Sequence, residues 1–156
     1  MRIAIAGDHH GVEIKELLAE RLRAEGHDVR DLGTNTNDSV DYPDYAAAAG
    51  REVVSGRAER GIVICGSGVG ASIAANKLRG VRAAVCHDAY SARQGVEHDD
   101  MNVICLGSRI LGPELAWEVV RTFVDARFQP EERYVRRLKK VVALEAAGEA
   151  PSVDVR

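Results

Sequence analysis

The stretch Ile62-Val63-Ile64-Cys65-Gly66-Ser67-Gly68-Val69-Gly70-Ala71-Ser72-Ile73-Ala74-Ala75-Asn76-Lys77 decides how the rest of the chain is read. A short β-branched run ends in a cysteine, three glycines alternate, and a small-residue helical segment follows. This is a buried strand, a loop of exposed backbone N–H groups and a helix start, an arrangement that attracts anions because donors and helix dipole point one way. Open α/β sheets place ligands at the carboxyl ends of their strands, where Cys65 sits. The reading that follows is that Cys65 does chemistry and that Gly66 to Gly70 hold an oxygen on which negative charge develops. The bland alternative is an inert buried cysteine; its place before a glycine nest, which stabilises a thiolate, weighs against that.

Outward from this stretch, strands and helices alternate. Expected strands are Arg2–Ala6, His27–Leu32, Gly61–Cys65, Val81–Cys86 and Val103–Leu106. Expected helices are Val12–Glu25, Asp44–Ser55, Gly70–Leu78, Ala89–Glu97 and Pro113 to about Asp125, with stops such as Gly26 and Gly56. The alternation predicts an α/β fold: one Rossmann-like three-layer domain, a five-stranded parallel sheet with helices on both faces. A further helix, roughly Glu131 to Ala147, follows no strand. Its apolar stripe is Tyr134, Leu138, Val141 and Val142, and such a helix is free to pack on another subunit. The domain is expected over residues 1–147, with 148–156 as a disordered tail.

Composition narrows the function classes. The chain has 156 residues, 46% hydrophobic and 29% charged, with a net charge of -3, which argues against a general nucleic-acid binder. No apolar run reaches the length of a membrane span, and the N-terminus does not read as a signal peptide. Three cysteines without C-x-x-C spacing fit a reducing compartment, so the cytoplasm is expected.

Three loops are expected to meet at the carboxyl edge: Gly7-Asp8-His9-His10-Gly11, Cys65 to Gly70, and Gly107-Ser108-Arg109. In the common strand order 2-1-3-4-5, strands one and three are neighbours, and His9 and Cys65 face one crevice. The bland alternative for Asp8 and His9, the lesser of the two, is a surface turn with a helix cap. Arg109, Arg133 and Arg137 form a candidate phosphate clamp, their guanidinium forks matching phosphate oxygens; the alternative is a solvated basic face. Gly66-Ser67-Gly68-Val69-Gly70-Ala71 also fits a dinucleotide fingerprint, with Asp88 near the required distance. It follows the third strand rather than the first, so the match is weak. Cys65, Cys86, Cys105, His9, His87 and His98 contain no close ligand pair, so no metal and no cofactor are expected. His98 on its own reads as a helix-end histidine.

Taken together, Gly7-Asp8-His9-x-Gly11, Asp41-Tyr42-Pro43, Cys65 to Gly70 with Ile73-Ala74-Ala75-Asn76-Lys77, Glu97-His98-x-x-x-Asn102 and Gly107-Ser108-Arg109 resemble the ribose-5-phosphate isomerase B family. That family also includes the isomerases of galactose 6-phosphate and allose 6-phosphate. The resemblance implies a metal-independent aldose–ketose isomerase of a phosphorylated sugar. It further implies a homodimer, in some members a dimer of dimers, with active sites shared between subunits. Carried over by position, Cys65 matches the proton-abstracting base. A second branch places a glutamate at the position of Ala71, so this chain goes with the cysteine branch. His98 of a partner subunit matches the ring-opening acid–base group. Asp8, His9, Tyr42, Ser67 and the backbone of Gly66, Gly68, Val69 and Gly70 match substrate contacts, and Arg109, Arg133 and Arg137 the phosphate site. Two positions depart from the pattern: Asp99 replaces a common asparagine near the sugar, and Tyr134 a common histidine in the phosphate-site helix. The likeness leaves the carbon number of the sugar open, with ribose 5-phosphate as the first expectation.

Overall fold

The structure, a computed structural model, describes residues 1–147; the expected disordered tail, 148–156, lies outside the described residues. The elements run β1 (Arg2–Gly7), α1 (Val12–Ala24), β2 (Asp28–Asp31), α2 (Tyr42–Val54), β3 (Arg60–Cys65), α3 (Val69–Ala75), β4 (Ala83–Val85), α4 (Ala89–Asp99), β5 (Val103–Gly107), α5 (Pro113–Asp125) and α6 (Glu132–Ala147). All five strands are parallel, as the alternation predicts.

The strand order is β2-β1-β3-β5-β4, which corrects the expected 2-1-3-4-5. Burial gives the physical reason. Val103–Gly107 is buried at every position and needs a strand on each side, whereas the three residues of β4 are only half-buried and suit an edge. The swap matters for the site, because β5 now pairs with β3 in a register that sets Gly107 opposite Cys65. The loop after β5 is thereby delivered to the cysteine.

Side chains of β3 alternate between two cores. Ile62 and Ile64 enter one with Ile3, Ile5, Leu18, Leu22, Ile104, Leu106 and Phe123, under α1, α4 and α5. Val63 and Cys65 enter the other, against Ala46 and Ala49 of α2 and Ala71 and Ala75 of α3. Alanines on both helices let α2 and α3 lie close over the sheet, and Cys65 ends up under the start of α3.

Helix boundaries shift for local reasons. α2 begins at Tyr42 rather than Asp44, with Pro43 in its first turn, where its missing N–H costs nothing. α3 stops at Ala75 rather than Leu78. The Asn76 amide donates to the carbonyls of Ser72 and Ala83 at 3.0 and 2.8 Å and accepts the Ala83 N–H at 2.9 Å. That side chain closes the helix and ties it to the edge strand β4. α6 buries only Tyr134, so Leu138, Val141 and Val142 of its expected stripe remain partly or fully exposed. Among the described residues no helix is long and apolar enough to cross a membrane.

Candidate active site

A cavity of about 390 Å³ opens at the carboxyl edge of the sheet, lined by Asp8, His10, Tyr42, Cys65, Gly66, Ser67, Gly70, Arg109 and Ile110. The three expected loops therefore do converge. Cys65 is 5% exposed, and its Sγ accepts the Gly68 N–H at 3.1 Å. That donor is aimed by backbone geometry. Gly68 has φ +81°, a left-handed conformation, and a Cβ there would stand 3.1 Å from the Leu106 carbonyl carbon. Gly70 is needed for a different reason: a Cβ would lie 2.7 Å from the Tyr42 ring, which closes one side of the cavity.

The loop's donors are divided between two tasks. The Gly68 N–H serves the cysteine sulfur, and the Val69 N–H is accepted by Ser67 Oγ at 3.3 Å. Among the described residues, the N–H groups of Gly66, Ser67 and Gly70 have no acceptor, and the Ser67 hydroxyl proton is free to donate. The expected nest of Gly66 to Gly70 is thus narrower than read from the sequence: three N–H groups and one hydroxyl remain available to a ligand, and two N–H groups hold the loop's own atoms.

The loop after β5 is laced to the cysteine. Ser108 donates its N–H to the Cys65 carbonyl at 2.8 Å, and Arg109 donates its N–H to the Gly66 carbonyl at 3.1 Å. The Arg109 guanidinium reaches His10, with Nη2 2.7 Å from Nε2. Because the guanidinium can only donate, His10 Nε2 accepts, and its ring proton lies on Nδ1, 3.8 Å from Asp8 Oδ1. Asp8 is buried and accepts the His10 N–H at 2.9 Å. His9 packs against His10 with centroids 4.1 Å apart and the rings tilted by 41°, and it accepts the Val40 N–H on Nδ1 at 3.2 Å, pinning the loop between β2 and α2. Asp8, His9 and His10 bring three possible metal-ligand atoms within 4.8 Å. Each residue already makes the internal contact just described, so hydrogen bonding alone accounts for their clustering.

The other thiols sit in different surroundings. Burial, with a smaller push from Asp88, raises the Cys86 thiol to about 11, and burial raises Cys105 further still. Neither lines the cavity. Asp88, the acidic partner in the dinucleotide reading, spends its carboxylate on capping α4 through the Ser91 N–H at 2.7 Å. That backbone bond also holds it below the usual carboxylate range.

A second cluster lies on α4 and α6. His98, near the end of α4, stacks on Tyr134 with ring centroids 4.0 Å apart and 16° between planes. Gln94 Nε2 is 2.9 Å from its Nδ1. Arg133 donates from Nη2 to the Tyr134 hydroxyl at 2.7 Å and from Nε to Glu131 at 2.9 Å. Arg137 is exposed on the same helix, and Asp99 lines a separate cavity with Asn76, Arg82 and Val141.

Comparison with known proteins puts both clusters in context. A family profile described as Ribose/Galactose Isomerase matches residues 3–141. The chain belongs to the ribose/galactose isomerase family. It is 40% identical over 144 residues to ribose-5-phosphate isomerase B of Escherichia coli, covering 92% of this chain and 96% of that one. It is 37% identical over 150 residues to D-erythrulose-4-phosphate isomerase 2 of Mycolicibacterium smegmatis, covering 94% and 99%. Among solved structures, ribose-5-phosphate isomerase B of Clostridium thermocellum superposes with a TM-score of 0.92 at 46% identity, covering 94% of this chain and 99% of that one. Membership makes the chain a sugar-phosphate isomerase, of the aldose–ketose class.

Of the residues expected from the sequence, the ribose/galactose isomerase fold brings Asp8, Tyr42, Cys65, Gly66, Ser67, Gly70 and Arg109 around one cavity. Gly68 acts on the sulfur and His9 stands behind His10, while Val69 is 53% exposed. His98, Asp99, Arg133 and Arg137 do not line that cavity, so the expected three-arginine clamp is split within one chain. His10 and Ile110 line it without having been expected. The doubled histidine in Gly7-Asp8-His9-His10-Gly11 was the available signal for His10.

Proposed function

We propose that the chain interconverts ribose 5-phosphate and ribulose 5-phosphate, with Cys65 as the base and a homodimer as the working unit. The observation that carries this reading is the Gly68 N–H on Cys65 Sγ at 3.1 Å, at the wall of a cavity that also holds Arg109. The isomerase domain is taken as residues 1–147 and the cytoplasm, which keeps thiols reduced, as its compartment.

Dimerisation is supported by what one chain leaves apart. The acid–base histidine and two arginines of the family pattern lie on α4 and α6, away from the cysteine cavity. Around the cavity and on α3, Val69, Ile73 and Ile110 are more than half exposed, an apolar rim that a second copy would cover. In the dimer, His98, Arg133 and Arg137 of one subunit complete the site of the other.

The chemistry then runs as follows. His98 moves the proton that opens the cyclic sugar, a task suited to imidazole near neutral pH. The Cys65 thiolate takes the C2 proton. The C1–C2 double bond forms as the carbonyl electrons move onto O1. The free N–H groups of Gly66, Ser67 and Gly70 and the Ser67 hydroxyl meet that charge with donors fixed in advance. The thiol returns its proton to C1 while the O2 proton passes to O1, leaving the ketose. Arg109 with the partner's arginines holds the phosphate. Asp8 and Tyr42 hold the sugar, with His9 bracing the loop behind them, and Asp99 faces the sugar from the partner.

Cys65→Ser tests the base directly, since it keeps shape and replaces the thiol with a far weaker acid. Isomerisation and solvent-deuterium incorporation should both be abolished, with ribose 5-phosphate affinity within a few-fold of wild type. Near-wild-type turnover would remove Cys65 from its role. The likeness to an erythrulose-phosphate isomerase, together with Asp99, favours a tetrose phosphate as the second reading. Ranking kcat/KM over a panel of phosphorylated aldoses decides between them.

A further inference from the structure

Tyr134 is the buried residue of α6 and is 3% exposed. Anchoring a helix needs only an apolar side chain, yet Tyr134 makes three more specific contacts. Its ring lies nearly flat on His98, 4.0 Å between centroids. Its hydroxyl accepts from Arg133 Nη2 at 2.7 Å, and the Arg133 guanidinium carbon sits 4.5 Å from its ring centroid. One side chain therefore touches the acid–base group and a phosphate ligand that the partner's site requires.

We infer that Tyr134 is a positioning residue that fixes the His98 imidazole and the Arg133 guanidinium as one unit, setting ring opening and phosphate capture at a constant spacing. The inference rests on the roles proposed above for His98 and Arg133. The stack restricts rotation of the imidazole, whose Nδ1 is already held by Gln94, so Nε2 is left with one direction to face. The phenol oxygen holds Arg133 Nη2 while Glu131 holds its Nε at 2.9 Å, so the guanidinium is fixed from two sides before phosphate arrives. Tyrosine thus couples two functions on neighbouring helices.

Two variants separate its halves. Tyr134→Phe keeps the stack and removes the acceptor. KM for ribose 5-phosphate should rise roughly 2- to 12-fold, the worth of one net hydrogen bond, with kcat nearly unchanged. Tyr134→Leu removes the stack, and kcat for ribose 5-phosphate should fall about 10- to 100-fold, part of what a positioned acid–base group supplies. Exchange of the ribulose 5-phosphate C1 proton with solvent deuterium should persist at saturation. Its C5 oxygen is phosphorylated, so this ketose has no furanose ring to open, and exchange needs only Cys65. Tyr134→His, which keeps a flat polar ring, should restore most of kcat. The inference is overturned if Tyr134→Phe leaves KM unchanged, or if exchange and isomerisation fall together in Tyr134→Leu, as a merely loosened α6 would cause. His98→Ala assayed alongside separates the two levels. Loss of isomerisation there, with none in Tyr134→Leu, refutes the positioning role; wild-type isomerisation there refutes the reading of His98 itself.

Discussion

Replacing Gly68 by alanine perturbs the site at the one point where backbone geometry and cysteine chemistry meet. With φ at +81°, any L side chain there costs about 1–2 kcal/mol in a left-handed conformation. The added Cβ would also press on the Leu106 carbonyl carbon at 3.1 Å and the Cys105 oxygen at 3.3 Å, backbone of a central strand that has no room to retreat. Overpacking of that kind adds about 1–3 kcal/mol. Gly56→Ala isolates the first contribution, because Gly56 has φ +73° and nothing within 4 Å of its virtual Cβ. At roughly 2–4 °C per kcal/mol for a chain of this size, Gly56→Ala should melt about 2–8 °C below wild type. Gly68→Ala should melt about 4–20 °C below it. The same variant moves the N–H away from Cys65 Sγ, so alkylation of Cys65 by iodoacetamide should slow by roughly 10- to 100-fold, the worth of a hydrogen bond to a charged group. Thermal melts and timed mass spectrometry at fixed pH read both effects. If Gly68→Ala melts no lower than Gly56→Ala and alkylates at the wild-type rate, the turn does not hold the donor on the sulfur.

Two further outcomes follow from other parts of the chain. Native protein treated briefly with iodoacetamide at about pH 8 should carry the label at Cys65 alone, because a thiol raised to about 11 is only about 0.1% thiolate there and Cys105 is higher still; label on Cys86 or Cys105 in peptide mapping would contradict their burial. Glu52 is held below its ordinary value of 4.5 first by the Arg57 hydrogen bond and then by the charge of Arg30, against the opposing effect of burial. A depressed carboxylate stabilises the fold above its unfolded value and loses that contribution as pH falls through the folded one. Glu52→Gln should therefore be less stable than wild type at neutral pH by denaturant unfolding, with the gap closing below pH 4.5; a gap independent of pH would refute the pairing.

The parts of this protein carried by local chemistry were legible in its sequence. Cys65 at the end of a β-branched run, with alternating glycines after it, announces a strand end and a donor-rich loop, and the cavity wall contains both. The order of β4 and β5 was not legible, because both are short apolar runs and only their burial in the sheet distinguishes a central strand from an edge. Lys15 shows the same limit on a helix. It occupies an ordinary polar position in the α1 pattern, yet its side chain is fully buried and bonded to Asp31 and Asn35. The stripe on α6 reads as a face free to pack on another subunit; within one chain it buries Tyr134 and leaves Leu138, Val141 and Val142 partly or fully exposed. His98 meets no cysteine within its own chain, so periodicity and spacing gave it no role; only the family pattern did.

The claim that most needs a direct test is that each working site takes Cys65 from one subunit and His98 from the other. Cys65→Ala and His98→Ala subunits carrying different tags are co-expressed, and the mixed dimer is isolated through both tags. Such a dimer holds one site with both groups intact and one with neither, so it should isomerise ribose 5-phosphate at about half the wild-type rate per dimer, while each parent homodimer stays inactive. A mixed dimer as inactive as its parents would contradict the shared site and return both residues to a single chain.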